Sequence, residues 1–166
     1  MRQHRITLYG PPLAGKRTML SHVAAAMAGS SYSWTCKWMN PGGNPRTVDH
    51  HGVTVRLTRK GCMFELSTMP GAIFDLDAWA ALLCDADAVV VVLDSQVTRM
   101  AANIESMAHL ATFGRQPNAV IYTKVDLVSD FVPPAWGTVH VSLARDDQPE
   151  TLVGPIKAVL NELGDP

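Results

Sequence analysis

The chain's 166 residues suit one domain, 1–166, and an apolar fraction of 47% is enough to bury a good core. A formal net charge of −1 supplies no basic field, which sets nucleic acid aside as a partner. Three scattered cysteines, Cys36, Cys62 and Cys84, form no CxxC pair and read as reduced thiols of a cytoplasmic protein rather than a disulfide framework or zinc site.

Strand character begins at Ile6, before any apolar leader could form, and Arg2 leaves no myristoylation motif. "RITLY" (Arg5 to Tyr9) reads as a buried strand, followed by a glycine-rich turn and a helix from about Lys16 to Ala28. The stretch from Gly29 to Gly52, with "NPGGNPR", is the loosest part of the chain, and a loop of that length is usually functional. "VTVRLT" and "CMFELST" flank "RKG" and predict an antiparallel hairpin, Val53 to Thr68. "AVVVVLD" is a continuous β-branched run, expected of a central strand covered on both faces, and far too short to span a bilayer. A helical stripe runs from Arg99 to Phe113, and "NAVIYT" (Asn118 to Thr123) and "TVHVS" (Thr138 to Ser142) are further strands. Leu152, Ile156, Val159, Leu160 and Leu163 mark a last helix between Glu150 and Leu163, and the ending "LGDP" offers no prenylation cysteine. Strands alternating with helices predict α/β with a mostly parallel sheet, whose ligand crevice lies at the carboxyl ends of the strands. No membrane anchor is expected.

The most informative stretch is "GPPLAGKRT", Gly10 to Thr18, between the first strand and the first helix. Gly10, Gly15 and Lys16 satisfy GxxxxGK, in which backbone amides and a helix N-terminus surround phosphates and the lysine caps the β/γ oxygens. A glycine-rich turn with an exposed lysine is the competing reading. The pattern ends in Ser or Thr, whose hydroxyl coordinates Mg²⁺; here Arg17 follows the lysine, and a guanidinium has no lone pair to offer. Thr18 lies one residue on, about 100° round the helix, and does not replace it.

The phosphate loop and "DSQVTRMAANIESM" (Asp94 to Met107) together resemble the Ras-like small GTPases of bacteria, in the gliding-motility (MglA-type) branch. The branch has a loop beginning Gly-Pro, as at Gly10-Pro11, a TxPG motif, as at Thr68-Met69-Pro70-Gly71, and an NxESM-like helix, as at Asn103 to Met107. The resemblance covers nearly the whole chain. It implies a P-loop-type three-layer α/β/α fold with one antiparallel edge strand, and GTP or GDP as ligand. By the same resemblance the nucleotide contacts Gly10, Pro11, Leu13, Ala14, Gly15, Lys16, Arg17 and Thr18 in the loop, and Gly71 after it in the chain.

"TKVD" matches the family's [NT]KxD, with Thr123 in place of the commoner asparagine. There the Asp126 carboxylate accepts from guanine's N1–H and exocyclic amine, while the aliphatic stem of Lys124 covers the ring. Adenine has no matching pair of donors, so this carboxylate selects guanine. A charged turn after a strand is the alternative. Ser142, Leu143 and Ala144 stand where the family places its last base-contacting loop.

The resemblance also puts Thr47 where switch I supplies a ligand to Mg²⁺, and Arg46 where the branch supplies an arginine for transition-state charge. An arbitrary loop pair is the other reading. Two catalytic features are missing: Arg17 replaces the metal ligand, and Ala72 stands after Gly71 where a glutamine orients the attacking water. Between Asp126 and Thr138, Pro133-Pro134 interrupts the space for the usual fourth helix, which is therefore expected to be trimmed or absent.

Other features invite weaker readings. His50-His51 forms a loop pair rather than a metal site. Trp34 and Trp38 form a partner surface or pack on the core. Asp75, Asp77, Asp85 and Asp87 read as caps and turns. Three functions remain open: a guanine-nucleotide switch or scaffold with slow or absent hydrolysis, an active GTPase using Arg46 or a partner's group, and a pseudo-GTPase that binds no nucleotide. Each implies a protein effector or regulator at the switch surface, with a roadblock-type regulator implied by the resemblance.

Overall fold

The computed structural model describes residues 2–38, 48–69, 76–134, 136, 139–145 and 147–164. The chain runs β1 (Arg2–Tyr9), α1 (Lys16–Ala26), β2 (Ser30–Trp38), β3 (Val48–Arg59), β4 (Cys62–Thr68), α2 (Leu76–Cys84) and β5 (Ala88–Asp94). It continues through α3 (Met100–Thr112), β6 (Ala119–Thr123), β7 (His140–Leu143) and α4 (Pro149–Gly164). The strands form one sheet in the order β2-β3-β4-β1-β5-β6-β7. From β4 to β7 every neighbouring pair is parallel; antiparallel pairing is confined to one side, where β3 runs against β4 and β2 against β3. This is the expected mostly parallel sheet with its antiparallel edge.

The two-fold alternation of side chains along each strand sorts the core into two halves. All seven residues of β5 are buried, as its β-branched run requires. Val90 and Val92 join Ile6, Leu8 and Ile121 in packing against Met19, Leu20 and Val23 of α1 and Ile156 and Leu160 of α4. Val89, Val91 and Leu93 point the other way, with Tyr9 and Tyr122, onto Trp79 and Leu83 of α2 and Leu110 of α3. Helices therefore cover both faces of the sheet, giving three layers. The predicted hairpin closes through Lys60 and Gly61, both at positive φ (48° and 74°), the two-residue geometry that matches strand twist.

The structure changes the expectation for Gly29 to Gly52. Ser30–Trp38 is a strand, paired residue for residue with a β3 that begins at Val48 instead of Val53. The signal was in the sequence: Tyr32, Trp34, Cys36 and Trp38 alternate with Ser31, Ser33, Thr35 and Lys37, a period of two that composition alone does not reveal. His50 and His51 accordingly lie in β3 rather than in a loop, and no group of three His, Cys, Asp or Glu among the described residues is placed to hold a metal. Helix α1 ends at Ala26, two residues early. Between Asp126 and β7 the described residues contain no α-helix, only the 3-10 turn Val125–Leu127, in line with the expected loss of the fourth helix. No helix among the described residues is long and apolar enough to cross a membrane.

Strand β1 leaves the sheet at Gly10, whose φ of 141° and lack of a side chain are both needed. A Cβ there would lie 2.0 Å from the carbonyl oxygen of Val92, in the backbone of the central strand. That oxygen cannot move without dragging β5. Gly10→Ala is therefore expected to destabilise the fold by more than about 3 kcal/mol or to prevent soluble expression. At Gly61, where nothing lies within 4 Å of the would-be Cβ, Gly61→Ala should cost only about 1 kcal/mol of backbone strain. Urea denaturation of the two variants beside the wild type compares them.

Candidate functional site

The loop after β1 winds over the carboxyl ends of the parallel strands, where this class of sheet places ligands. Gly15 at φ 87° starts α1, and Leu13 reaches φ 65° despite its side chain. No side chain caps the first turn of α1 and no acidic residue lies in it, so its amides and positive dipole end face the loop. Lys16 folds back and donates to the carbonyls of Gly10 (2.6 Å) and Pro11 (2.7 Å). Burial, aided by the charge of Arg17, pushes its ammonium down from 10.5 to about 7. Arg17 and Thr18 are exposed on the first turn of the helix.

A second loop, after β6, is tied to the first. The hydroxyl of buried Thr123 lies 2.9 Å from the Ala14 carbonyl and 3.1 Å from that of Leu93, donating its one proton between them. Lys124, at φ 58°, turns its side chain across to donate to the Leu13 carbonyl (2.8 Å) and to Asp94 Oδ2 (2.7 Å). Serine 95 holds the same loop from below: its amide donates to the Thr123 carbonyl and its hydroxyl to that of Lys124. Arg99 reaches the Pro12 carbonyl from the 3-10 turn Val97–Arg99 before α3.

Asp126 follows in the turn Val125–Leu127, half-buried. The third loop meets it there, since the amide of Val125 donates to the Ala144 carbonyl (3.3 Å) and that of Ala144 to Tyr122 (2.7 Å). Ser142 and Leu143 are the last residues of β7, and Ala144 is buried beyond them. Arg145 pairs with Asp147, which holds its guanidinium above the ordinary arginine range, with a smaller contribution from Asp126.

The structure thus gathers Gly10 to Lys16, Thr123, Lys124, Asp126 and Ala144 at the ends of β1, β6 and β7. Arg46, Thr47, Gly71 and Ala72 lie outside the described residues. Asp94, Asn103, Ser95 and Arg99 belong to this assembly too, although the sequence offered no catalytic pattern for them. They lie in the stretch Asp94 to Met107 that carries the family resemblance, but nothing in it assigned them to the site.

No family model matches the chain. The "Mutual gliding-motility protein MglA" of Myxococcus xanthus (strain DK1622) is 31% identical over 138 residues, covering 74% of this chain and 68% of that protein. With the strand order and the three loops described above, this makes the chain a Ras-like small GTPase, one of a class of guanine-nucleotide-binding switch proteins. Within that class it belongs to the gliding-motility branch.

The lysine gives a pH signature. A folded value near 7 against 10.5 in the unfolded chain means that, between those values, the unfolded state binds more protons and stability rises with pH. Chemical denaturation of the nucleotide-free protein across that window should show a rising midpoint, and Lys16→Met should lack the Lys16-dependent part of the rise.

Proposed function

We propose that this chain, as a single G domain in the cytoplasm, binds GTP or GDP in preference to ATP and hydrolyses GTP slowly or not at all. In this reading it acts on a protein partner as a switch or scaffold. The observation that carries the reading is the junction of the two loops: Lys124 bonds to the backbone of Leu13, so Asp126 stands beside the same loop that holds Lys16. A nucleotide laid across that junction has its phosphates at the amides of Gly15 to Thr18 and its base at Asp126. Two donors on guanine meet one charged acceptor, an arrangement worth a few kcal/mol when shielded from water. Lys16, released from the carbonyls of Gly10 and Pro11, turns to the β/γ oxygens.

The hydrolytic half is weaker. Arg17 takes the place of the hydroxyl that coordinates Mg²⁺ in this family, and an exposed guanidinium repels the ion instead of binding it. The described residues at the loop therefore do not fit Mg²⁺. Arg17 instead brings its own charge to the first turn of α1, beside the phosphates. Ala72 has no group with which to hold a water in line for attack, and phosphoryl transfer depends on such positioning. The partner would read the switch segments, and by the family resemblance a roadblock-type protein is the regulator class we propose.

Denaturing the purified protein and identifying the released nucleotide by chromatography tests the reading directly: GDP or GTP is expected. In titrations, equal affinity for GTP and ATP, or none for either, overturns it. Asp126→Asn should weaken guanine nucleotides at least tenfold and shift preference to xanthine, whose O2 accepts from the new amide. Chelation with EDTA should weaken GDP less than tenfold, a difference below about 1.4 kcal/mol.

Intrinsic turnover should not exceed the order of 10⁻⁴ per second. Single-turnover assays decide between this and a working enzyme. Turnover near one per second that vanishes in Arg46→Ala makes the chain an active GTPase, whereas a faster Ala72→Gln places the defect at the water.

A further inference from the structure

Strand β5 runs on past the end of the β1 strand beside it. The pairing of β1 with β5 stops at Tyr9 opposite Val91, because β1 then turns away into the glycine-rich loop. Asp94, three residues further along β5, is paired with Thr123 of β6 on its other side. On the open side its backbone would be left without a neighbour in a fully buried position, an arrangement that costs as much as a lost hydrogen bond.

Asn103 of α3 fills that place. Its side-chain amide donates to the Asp94 carbonyl (2.7 Å) and accepts from the Asp94 amide (3.2 Å), as a strand neighbour would. Only a primary amide both donates and accepts through such a planar fork; a carboxylate lacks the donor and an aliphatic side chain lacks both. Asn103 is itself fully buried.

Fixed in this way, the Asp94 carboxylate has both oxygens engaged. Oδ1 accepts from the amide of Gln96 (3.0 Å), and Oδ2 accepts from Lys124 Nζ (2.7 Å). The Asp94 side chain is 1% exposed and the Lys124 side chain 20%. Lys124 then completes the chain of contacts at the Leu13 carbonyl. Helix α3 is connected to the glycine-rich loop through Asn103, Asp94 and Lys124 in series.

We infer that Asp94 and Asn103 are positioning residues for nucleotide binding: they fix the Lys124 stem across the junction of the two loops and so set how long a guanine nucleotide stays bound. The inference rests on the proposed guanine-nucleotide reading. It assigns Asp94 to no contact with the ligand; its action is through Lys124.

The test is the dissociation rate of fluorescently labelled GDP from the wild type, Asp94→Asn, Lys124→Met and the double variant, with thermal melts to establish folding. Asp94→Asn preserves shape and the acceptor for Gln96 but removes the charge that holds the lysine. It should release GDP at least tenfold faster, and Lys124→Met should do the same. The double variant should be no more than about twofold faster than Lys124→Met alone, because both changes break one connection. Multiplied effects, or an unchanged rate in a folded Asp94→Asn, overturn the inference.

A second arm needs no nucleotide. Pulse acetylation of the nucleotide-free protein, read at Lys124 by peptide mass spectrometry, should rise severalfold in Asp94→Asn and in Asn103→Ser relative to the wild type. A merely structural loss would raise the other lysines as well. If the wild type takes no GDP, the function reading fails and this arm alone decides. Unchanged Lys124 labelling then overturns the placement of the lysine by Asp94 and Asn103, and a selective rise upholds it.

Discussion

The close approach of Gly10 to β5 determines where everything else at the site can stand. Because the turn begins against the Val92 carbonyl, the loop that follows lies across the end of β5 instead of rising away from the sheet. Its far side then reaches β6, two strand spacings from β1 and so roughly 10 Å away. The carbonyls of Leu13 and Ala14 arrive there within hydrogen-bond distance of Lys124 and Thr123. A bulkier residue at position 10 would lift the loop, and those two contacts would lose their partners together. Backbone packing at one residue thus sets the distance between the glycine-rich loop and the loop after β6.

The loop's carbonyls are partly satisfied by the protein itself. Lys16 occupies two carbonyls, Arg99 a third and Thr123 a fourth. The cost is carried by the lysine, whose ammonium is withdrawn from water with no carboxylate among its bonded partners. A polyanion offers that ammonium what the loop cannot, a full opposite charge. In the proposed reading, a bound polyphosphate relieves this desolvated cation.

Much of the fold could be read from the sequence because its strands are buried on both faces and announce themselves as apolar runs, "AVVVVLD" and "NAVIYT" above all. The hairpin and the last two helices were equally legible from period and turn residues. Strand β2 was missed because it is half polar and lies in a stretch dominated by glycine and proline further on, so composition hid its alternation. The ends of the site, Gly10, Gly15, Lys16 and Lys124, follow from spacing, since their chemistry is local. Asp94 and Asn103 do not. They are nine residues apart, one on a strand and one on a helix, and what makes them partners is the end of β1, which no pattern in their own neighbourhood encodes.

The position of β1 in the middle of the sheet has a consequence for how the molecule forms. The meander from β2 to β4 joins segments close in sequence, and its two-residue turn can close within microseconds. Strand β1 has no such neighbour: the amide of Arg5 finds the carboxylate of Asp87 across 82 residues of chain. Its partners β4 and β5 must both exist before it can be enclosed, and closing so long a loop is entropically slow. The glycine-rich turn that follows β1 is consequently among the last parts of the protein to take shape.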